Sequence, residues 1–522
     1  MNSNLSGTLR PLQRAVLFVA TLIAIFWILL YAQFTVDDAF IFFRYGYTLV
    51  HHHVWNWNPS GPRAEAYTSI LYVLLSILPA LLHISPVIVF KLFGCACVAA
   101  MGRMLWTSAV SPWSSTLAIA LFLCSPYLWV HAFSCLETPL FMVLLMALTL
   151  TVCNLTPQWR HSDARIVYTL ALLLTLTRPE GAVFSIAALV LFFRRTGVNR
   201  RLPFLSALIA LALLYFFLSW AYFHSPLPNP FYVKVQRGSL HNFLHSGYSV
   251  KLTLLALLLC AVFTRDRNYR LMVAVGFAVI FGLYLPHNLA MNYCDRFVFQ
   301  IAFPLILLGI ATASVPTLYL AATALLAVLN VSRAQLKWSL VFLPRLETAH
   351  ADLGRSLAPF AAGHSLLGSD MGVIPYYSDW ISYDSDGLCT TQVARHGLTS
   401  HFLAAAHPDL ILLSSIPLAP ATGFSAPIIA IPDAEIHPDP SPNQQLILAY
   451  MQHSGDYVYI GSSRWYDRYV MQYLRTDTPR FEQIRQSLLA SDARSVKFRF
   501  SFAPLLKQRY LIDQLHQSQH TQ

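Results

Sequence analysis

The sequence predicts an all-α polytopic membrane domain followed by a soluble α/β domain. Apolar residues make up 56% of the 522 positions and charged residues only 11%, whereas a typical soluble domain carries about 25% charged residues. A chain of this composition cannot cover a soluble surface, so lipid must cover much of it. Apolar runs of helical length follow one another up to about residue 330, and strand-like runs appear only after it.

Basic residues in the loops between the apolar runs predict the topology. Arg clusters at 194–201 and 265–270 should lie in the cytoplasm, and so should Arg103. All of them do so if the run at 67–82 is a juxtamembrane helix that does not cross. About eleven crossings then keep the N-terminus in the cytoplasm and place the tail outside.

The tail differs in pattern from the rest of the chain. Strand-like and helical patterns alternate there, at 365–368, 397–406, 410–413, 457–460 and 481–490. We therefore expect a transmembrane domain over residues 1–334 and an extracytoplasmic α/β domain over residues 335–522.

The net charge of +11 comes from the membrane part of the chain. Up to Arg333 there are 21 Lys and Arg against 8 Asp and Glu. Positive loops of this kind hold the cytoplasmic side of a membrane protein, so the charge does not indicate nucleic-acid binding.

Most of the acids before residue 334 fall in loops that the topology places outside. These acids are Asp37, Asp38, Glu65, Glu137, Glu180 and Asp295. Loop acids are usually only solvated, but these loops are short and their helices should pack together. Acids gathered on one face, with no visible internal repeat, favour an enzyme over a transporter, which needs polar groups accessible from each side in turn.

Ordered motifs over residues 35–380 resemble those of bacterial GT-C glycosyltransferases. The motifs read TVDDAFIFFRYGY from Thr35, then WNP, EAYT, CLETPLF, TRPEG, LPNPFYVK, DRF and SDMGVIPYYS. They are most similar to those of the mycobacterial terminal arabinofuranosyltransferase group and its proteobacterial relatives. Ala66 and Cys135 stand where that group has glycine.

The resemblance implies a GT-C fold in the inner membrane of a bacterium, with the C-terminal domain in the periplasm. It implies transfer of a sugar from a polyprenyl-phosphate donor to a cell-envelope glycan or glycolipid acceptor, with inversion. The partners would be the donor, the acceptor and membrane lipid, with no nucleic acid. The alternatives are a flippase for a lipid-linked saccharide, and a non-catalytic envelope or motility protein that keeps the fold.

Glycosyl transfer from a lipid phosphate needs a base for the acceptor hydroxyl and positive groups for the departing phosphate. The resemblance places the catalytic acid in the pair Asp37 and Asp38. In an extended segment adjacent side chains point opposite ways, so only one should face the sugar. We favour Asp37 slightly as the base and keep Asp38 beside it.

Outward cations should meet the phosphate, and Arg178, Lys234 and Arg296 are placed to do so. Arg44 either joins them or pairs with the Asp37–Asp38 acids. An ion pair between Arg178 and Glu180, holding the helix break together, is a compatible alternative.

The remaining candidates for substrate binding are motif residues of the same loops: Glu65, Tyr67, Glu137, Glu180, Asn229 and Asp295. We predict no metal site. His51, His52 and His53 are consecutive, and three consecutive side chains rarely converge on one ion. The sequence does not identify a cofactor. A divalent metal is left open because an acid in the loop of Glu137 takes part in metal binding in some GT-C enzymes.

Overall fold

The computed structural model describes much of the chain, in the ranges 10–155, 161–196, 202–225, 227–234, 248–264, 266–284, 292–312, 339, 343–414, 441–465 and 468–495. The last of the apolar runs in the sequence, at 316–330, lies outside these residues. The chain divides into two compact units. The first comprises Met1–Thr35, Tyr45–Val50 and Tyr67–Leu340, and the second comprises Val36–Arg44, His51–Ala66 and Val341–Gln522.

The first unit is helical throughout its described residues. Proline stands at the start of several helices, where its missing N–H would have had no partner inside the helix. The helices are Pro11–Tyr31, Ile70–Leu81, Pro86–Ser108, Pro112–Cys124, Pro126–Phe133, Thr138–Cys153, His161–Thr177, Gly181–Thr196, Leu202–Phe223, Asn229–Lys234, Tyr248–Phe263, Arg267–Val279 and Arg296–Thr312, with a π-helical segment at Ile280–Tyr284 and a 3-10 turn at Tyr293–Asp295.

Three described helices are long and apolar enough to cross a membrane: Pro11–Tyr31, Pro86–Ser108 and Tyr293–Thr312. A fourth span is formed if Pro112–Cys124 and Pro126–Phe133, which meet at a 58° bend, are counted together. The residue before a proline is pushed out of the helical region, which accounts for the break at Ser125. Tyr293–Thr312 is almost entirely buried and forms the core, whereas Pro11–Tyr31 exposes most of its apolar surface.

The second unit contains a five-stranded sheet with the order β2-β1-β3-β5-β4. Its strands are β1 (Ser365–Gly368), β2 (Ile381–Asp384), β3 (Leu410–Ser414), β4 (Tyr457–Trp465) and β5 (Arg468–Arg475). β1 is parallel to β2 and to β3, while β5 is antiparallel to β3 and β4. β1 and β3 are buried apolar runs, as expected of central parallel strands.

Helices accompany the sheet within the second unit. They are Leu343–Leu357, Val373–Ser378, Thr391–His396, Ser400–Ala406, Pro442–Ser454 and Phe481–Ser495, with a 3-10 turn at Ala358–Phe360. The core includes Leu367, Ile411 and Tyr473, all of them fully buried. One more helix, Ala39–His52, contains residues of both units.

Candidate functional site

The acids Asp37 and Asp38 lie in a turn that opens the helix Ala39–His52. The N–H of Phe40 donates to the Asp37 carbonyl at 2.9 Å, and the N–H of Ile41 donates to the Asp38 carbonyl at 3.2 Å. The segment is therefore a turn that leads into a helix. The expectation from the sequence that it is extended was wrong. In this turn the two side chains do not alternate between opposite faces as they would in a strand.

The Asp37 carboxylate holds a loop of the tail within the second unit. Its Oδ2 accepts the N–H of Gly372 and its Oδ1 accepts the N–H of Val373, both at 2.8 Å. Nδ1 of His350 lies 3.9 Å from the same Oδ1. Asp37 is only 6% exposed, whereas Asp38 is half-buried. Both oxygens of Asp37 are thus engaged in a structural contact.

Arg44 is buried and donates to main-chain carbonyls of the second unit. Its Nε bonds the Trp57 carbonyl at 2.8 Å, and its Nη2 bonds the Trp380 carbonyl at 2.8 Å. Its Nη1 bonds the Pro375 carbonyl, and the guanidinium lies 4.9 Å from the centre of the Trp57 ring. These contacts tie the early segment His51–Ala66 to the tail and favour a structural role for Arg44.

Four of the predicted site residues meet in a buried cluster of the first unit. We call it the Arg–Glu cluster, and its members are Glu137, Arg178, Glu180 and Arg296. Each of them lies at a helix boundary. Glu137 directly precedes Thr138–Cys153, Arg178 and Glu180 lie between His161–Thr177 and Gly181–Thr196, and Arg296 begins the helix Arg296–Thr312. Each is at most 6% exposed.

Glu137 is the centre of this cluster. Its Oε1 accepts hydrogen bonds from Nη1 of Arg178 and, at 2.8 Å, from Nη2 of Arg296. Arg296 also donates from Nε to the Thr138 hydroxyl at 3.2 Å. Both guanidinium groups lie over the Phe297 ring, at 5.2 and 5.4 Å from its centre. Two cations therefore share one carboxylate oxygen in a site from which most water is excluded.

Glu180 neutralises the second positive charge. Its Oε1 accepts from Nε of Arg178, from the Tyr284 hydroxyl and, at 3.1 Å, from Nε2 of Gln300. The ion pair between Arg178 and Glu180 that the sequence offered as an alternative is therefore present. With both acids ionised the cluster is neutral overall, which reduces the cost of burying four charges.

The guanidinium groups of Arg178 and Arg296 each have one nitrogen that these contacts do not use. Among the described residues, Nη2 of Arg178 and Nη1 of Arg296 have no hydrogen-bond partner. An anion that reached the cluster would find donors on two neighbouring guanidinium groups, and guanidinium donors suit phosphate oxygens.

The other predicted site residues lie elsewhere in their units. Glu65 is buried in the second unit. Tyr67 packs edge-to-face on Tyr45 in the first unit, with ring centres 4.8 Å apart. Asp295 is half-buried, with a backbone φ of 51° that a non-glycine residue seldom adopts. The side chain of Lys234, at the end of the helix Asn229–Lys234, lies outside the described residues.

Asn229 is fully buried at the start of that short helix. Neither its side-chain oxygen nor its nitrogen has a hydrogen-bond partner among the described residues. An unsatisfied buried amide is costly, so Asn229 remains a candidate for contact with a bound molecule.

Tyr284 and Gln300 are members of the cluster that the motifs did not suggest. Tyr284 ends the π-helical segment, and such segments are frequent at functional sites. Gln300 is a fully buried amide in the apolar run of Arg296–Thr312. A polar residue inside a membrane helix is itself a signal of function, and it was available in the sequence.

The structure describes no group of three or more His, Cys, Asp and Glu side chains able to hold a metal ion in the ranges it covers. In the run His51–His53, Nε2 of His52 pairs with the Asp379 carboxylate at 2.7 Å. This pair lies within the second unit and is a structural contact.

Two comparisons with known proteins match this chain. Residues 343–478 match a family model described as a domain of unknown function, DUF8728. No curated protein matches the chain. Among solved structures, the chain is similar to ArnT from Cupriavidus metallidurans bound to undecaprenyl phosphate, with a TM-score of 0.53 and 12% identity over 88% of this chain and 97% of ArnT. ArnT is a GT-C glycosyltransferase. The predicted fold class is therefore confirmed: the chain is a multi-pass membrane protein with the GT-C fold and a small C-terminal sheet domain.

Proposed function

We propose that this protein transfers a sugar from a polyprenyl-phosphate donor to a cell-envelope glycan or glycolipid on the outer face of the bacterial inner membrane. The fold that it shares with ArnT, which was crystallised with undecaprenyl phosphate, supports this proposal. The observation that carries it is the Arg–Glu cluster, in which two buried guanidinium groups share Oε1 of Glu137.

The cluster has the chemistry that a departing lipid phosphate requires. Negative charge grows on the phosphate as the glycosidic bond breaks, and fixed donors in a water-poor site stabilise it without reorganising. Nη2 of Arg178 and Nη1 of Arg296 would donate to it. Glu137 and Glu180 hold both guanidinium groups in place before the donor binds. Lys234 is a further candidate cation.

We assign the general base to Asp38 in preference to Asp37. Both carboxylate oxygens of Asp37 already accept backbone N–H groups, so they are engaged in holding the loop and are not free to accept the hydroxyl proton. Asp38 is the more exposed of the pair. Asp38 takes the proton from the acceptor hydroxyl, and direct attack of that oxygen on the sugar carbon inverts its configuration.

A transporter of lipid-linked saccharides is the rival function. It also needs a buried polar cluster in a membrane domain. A transporter makes no glycosidic bond, however, and this difference decides the experiment.

The test uses the purified full-length protein in detergent, with pentosyl, hexosyl and aminosugar polyprenyl phosphates as donors and a cell-envelope glycolipid extract as acceptor. Mass spectrometry should detect a glycosylated product with one donor class. Arg296→Lys keeps the charge but loses the forked contact, and should lower transfer roughly tenfold or more, since a charge-assisted hydrogen bond contributes about 1.5–3 kcal/mol.

Arg103→Lys is the matched control, because Arg103 is exposed on the helix Pro86–Ser108 and should not affect transfer. The proposal is wrong if no donor gives product while vesicles containing the protein move lipid-linked saccharide between leaflets.

A further inference from the structure

A cleft of about 300 Å³ opens in the second unit at the carboxyl ends of the parallel strands. The chain leaves β1 towards β2 on one side and leaves β3 towards β5 and β4 on the other. The crevice between the ends of β1 and β3 is therefore a point where the connections diverge. In open α/β sheets this is the place where ligands bind.

Polar side chains from each parallel strand line the cleft. Ser369 and Asp370 follow β1, Ser385 and Asp386 follow β2, and Ser414 ends β3. Ser441 and Gln444 come from the start of the helix Pro442–Ser454, and Leu412 and Leu413 of β3 also border the cleft. Converging polar groups of this kind fix the orientation of a small molecule in its site.

Two of the serine hydroxyls are available to a ligand. Ser385 is only 4% exposed, and within the part of the chain that the structure describes its hydroxyl has no hydrogen-bond partner. The hydroxyl of Ser369, a half-buried residue, also has no hydrogen-bond partner among the described residues. Both hydroxyls can therefore donate to or accept from a molecule in the cleft.

The charge of the lining restricts the class of ligand. Asp370 accepts a hydrogen bond from the Ser414 hydroxyl, and Asp386 accepts one from Nδ2 of Asn443 at 3.2 Å. Each carboxylate keeps further acceptor capacity. The lining residues include two acids and no Arg, Lys or His, so a phosphate or an acidic sugar would be repelled. Sugar hydroxyls or an ammonium group would be attracted.

The N-terminus of the helix Pro442–Ser454, which borders the cleft, does not make the cleft a site for anions. The Ser441 hydroxyl accepts the N–H of Gln444, and Oε1 of Gln444 accepts the N–H of Ser441. Nε2 of Gln444 donates to the Ser414 carbonyl at 2.8 Å. The capping box therefore uses donors that an anion would need.

We propose that this cleft binds one neutral or amine-bearing sugar residue of the acceptor glycan. The proposal rests on the proposed function. The volume of the cleft, about 300 Å³, is at the lower end of the range for ligand sites and suits a single sugar ring. The carboxylates accept hydrogen bonds from the ring hydroxyls.

The cleft is linked to the proposed base through the backbone of the second unit. Gly372 and Val373, which bond the Asp37 carboxylate, come two and three residues after Asp370. Asp38 follows Asp37 directly. A glycan held in the cleft is thus held by the same loop that fixes the turn of the acids.

The test is binding of free monosaccharides to the full-length protein in detergent, measured by saturation-transfer NMR. The panel is galactose, mannose, arabinose, glucosamine and glucuronate. Neutral sugars or glucosamine should bind, and glucuronate should bind at least tenfold more weakly. The double variant Ser385→Ala/Asp386→Asn should bind the neutral sugar or glucosamine with an affinity at least tenfold lower.

Asp456→Asn is the control, because Asp456 is exposed beyond the opposite end of the helix Pro442–Ser454 and should leave binding unchanged. Absence of binding, equal binding of glucuronate, or unchanged binding in the double variant would each overturn the proposal.

Transfer assays separate this proposal from the proposed function. With saturating donor, the double variant should raise KM for the acceptor at least tenfold and leave kcat within twofold of the wild type. If the cleft binds sugar but no donor gives transfer, the cleft is a sugar site and only the proposed glycosyltransferase activity is contradicted. Transfer with an unchanged acceptor KM in the double variant counts against the cleft alone.

Discussion

Gly372 packs so closely on Asp37 that a Cβ added to it would lie 1.9 Å from the Asp37 carbonyl oxygen. The Gly372 N–H donates to the carboxylate of the same residue at 2.8 Å. The close approach and the hydrogen bond occur at the same residue, so a side chain added at position 372 would disturb both. Only glycine fits at this position without moving the turn of the acids.

We predict that Gly372→Ala destabilises the protein. Relieving the overlap requires backbone shifts, and overpacking of this kind costs about 1–3 kcal/mol. Thermal unfolding of the full-length protein in detergent measures the loss. Gly461→Ala is the matched control, since a Cβ there meets only ordinary contact at 3.7 Å from Leu489. Equal stability of the two variants would show that the loop moves freely away from Asp37.

The acids Asp37 and Asp38 should respond differently to the same substitution. Asp37→Asn replaces one acceptor oxygen by an NH2 group that faces a backbone N–H, so it should lower stability by about 1–3 kcal/mol. Asp38→Asn should leave the unfolding temperature unchanged and lower transfer by ~10² or more, because the amide is not a base. A stable but inactive Asp37→Asn, together with an active Asp38→Asn, would exchange the two roles.

The shared carboxylate of Glu137 should couple strongly to Arg296. Glu137→Gln leaves two buried guanidinium groups with one acid, and breaking a buried ion pair costs about 3–5 kcal/mol. The double variant Glu137→Gln/Arg296→Gln restores neutrality, so it should be less destabilised than the sum of the two single variants. The exposed pair of Glu482 and Arg485 is the control, and Glu482→Gln should not measurably change stability. Strict additivity in the cluster would contradict the predicted coupling.

Asp384 should make stability depend on pH. Burial, followed by the charge of Asp386, raises the pKa of the Asp384 carboxyl from 3.8 to about 8. A folded-state pKa above the unfolded one means that the folded protein binds the extra proton between these values. The stability that it contributes is complete below about pH 4 and is lost as the pH rises towards about 8.

Thermal unfolding at a series of pH values from 4 to 9 tests this prediction. The wild type should lose more stability over this range than Asp384→Asn, which cannot ionise. Parallel curves would mean that the N–H groups of Asp386 and Cys389, at 2.8 and 2.9 Å, keep Asp384 ionised throughout.

The orientation in the membrane is a prediction from the basic loops. Single cysteines at Ser60 and Ser441, introduced into a variant without the native cysteines, should react with an impermeant reagent in intact spheroplasts. A cysteine at Val198, which lies outside the described residues, should react only after permeabilisation. Labelling of the Val198 position alone in intact spheroplasts would place the second unit in the cytoplasm.

Apolar periodicity predicted the helices of the first unit well, because in lipid every backbone group must bond within its own helix. The sequence has an apolar run at 138–153, for example, and the structure has the helix Thr138–Cys153 there. The helix Ala39–His52 was missed, since its aromatic residues have strand propensity as well. Ring contacts such as that of Phe40 with Tyr376, at 5.4 Å, support this helix, and they join residues far apart in sequence.

In the sheet, the apolar strands β1 and β3 and the start of β4 were predicted, but β2 and β5 were not. β2 is short and half polar, and β5 carries Gln472 and an arginine at each end. Their strand conformation comes from pairing with a neighbour, as Gln472 does opposite Leu412 of β3. Such pairing is not encoded within a short window of sequence.

The motifs identified the members of the Arg–Glu cluster one by one but not their arrangement. Glu137 and Arg296 are 159 residues apart, and only helix packing brings them together. Local spacing suggested the pair of Arg178 and Glu180, because the two residues flank the same helix break.

The composition of the second unit has a consequence for how the protein is made. Its segments Val36–Arg44 and His51–Ala66 are synthesised roughly 275 residues before Val341, which is about 15–55 s at a typical rate of ~5–20 residues per second. During that time the Arg44 guanidinium lacks two of its acceptors, the carbonyls of Pro375 and Trp380. Every helix of the first unit is translated before this sheet domain can close around its own first segment, so a ribosome that stops early leaves an inserted but open protein.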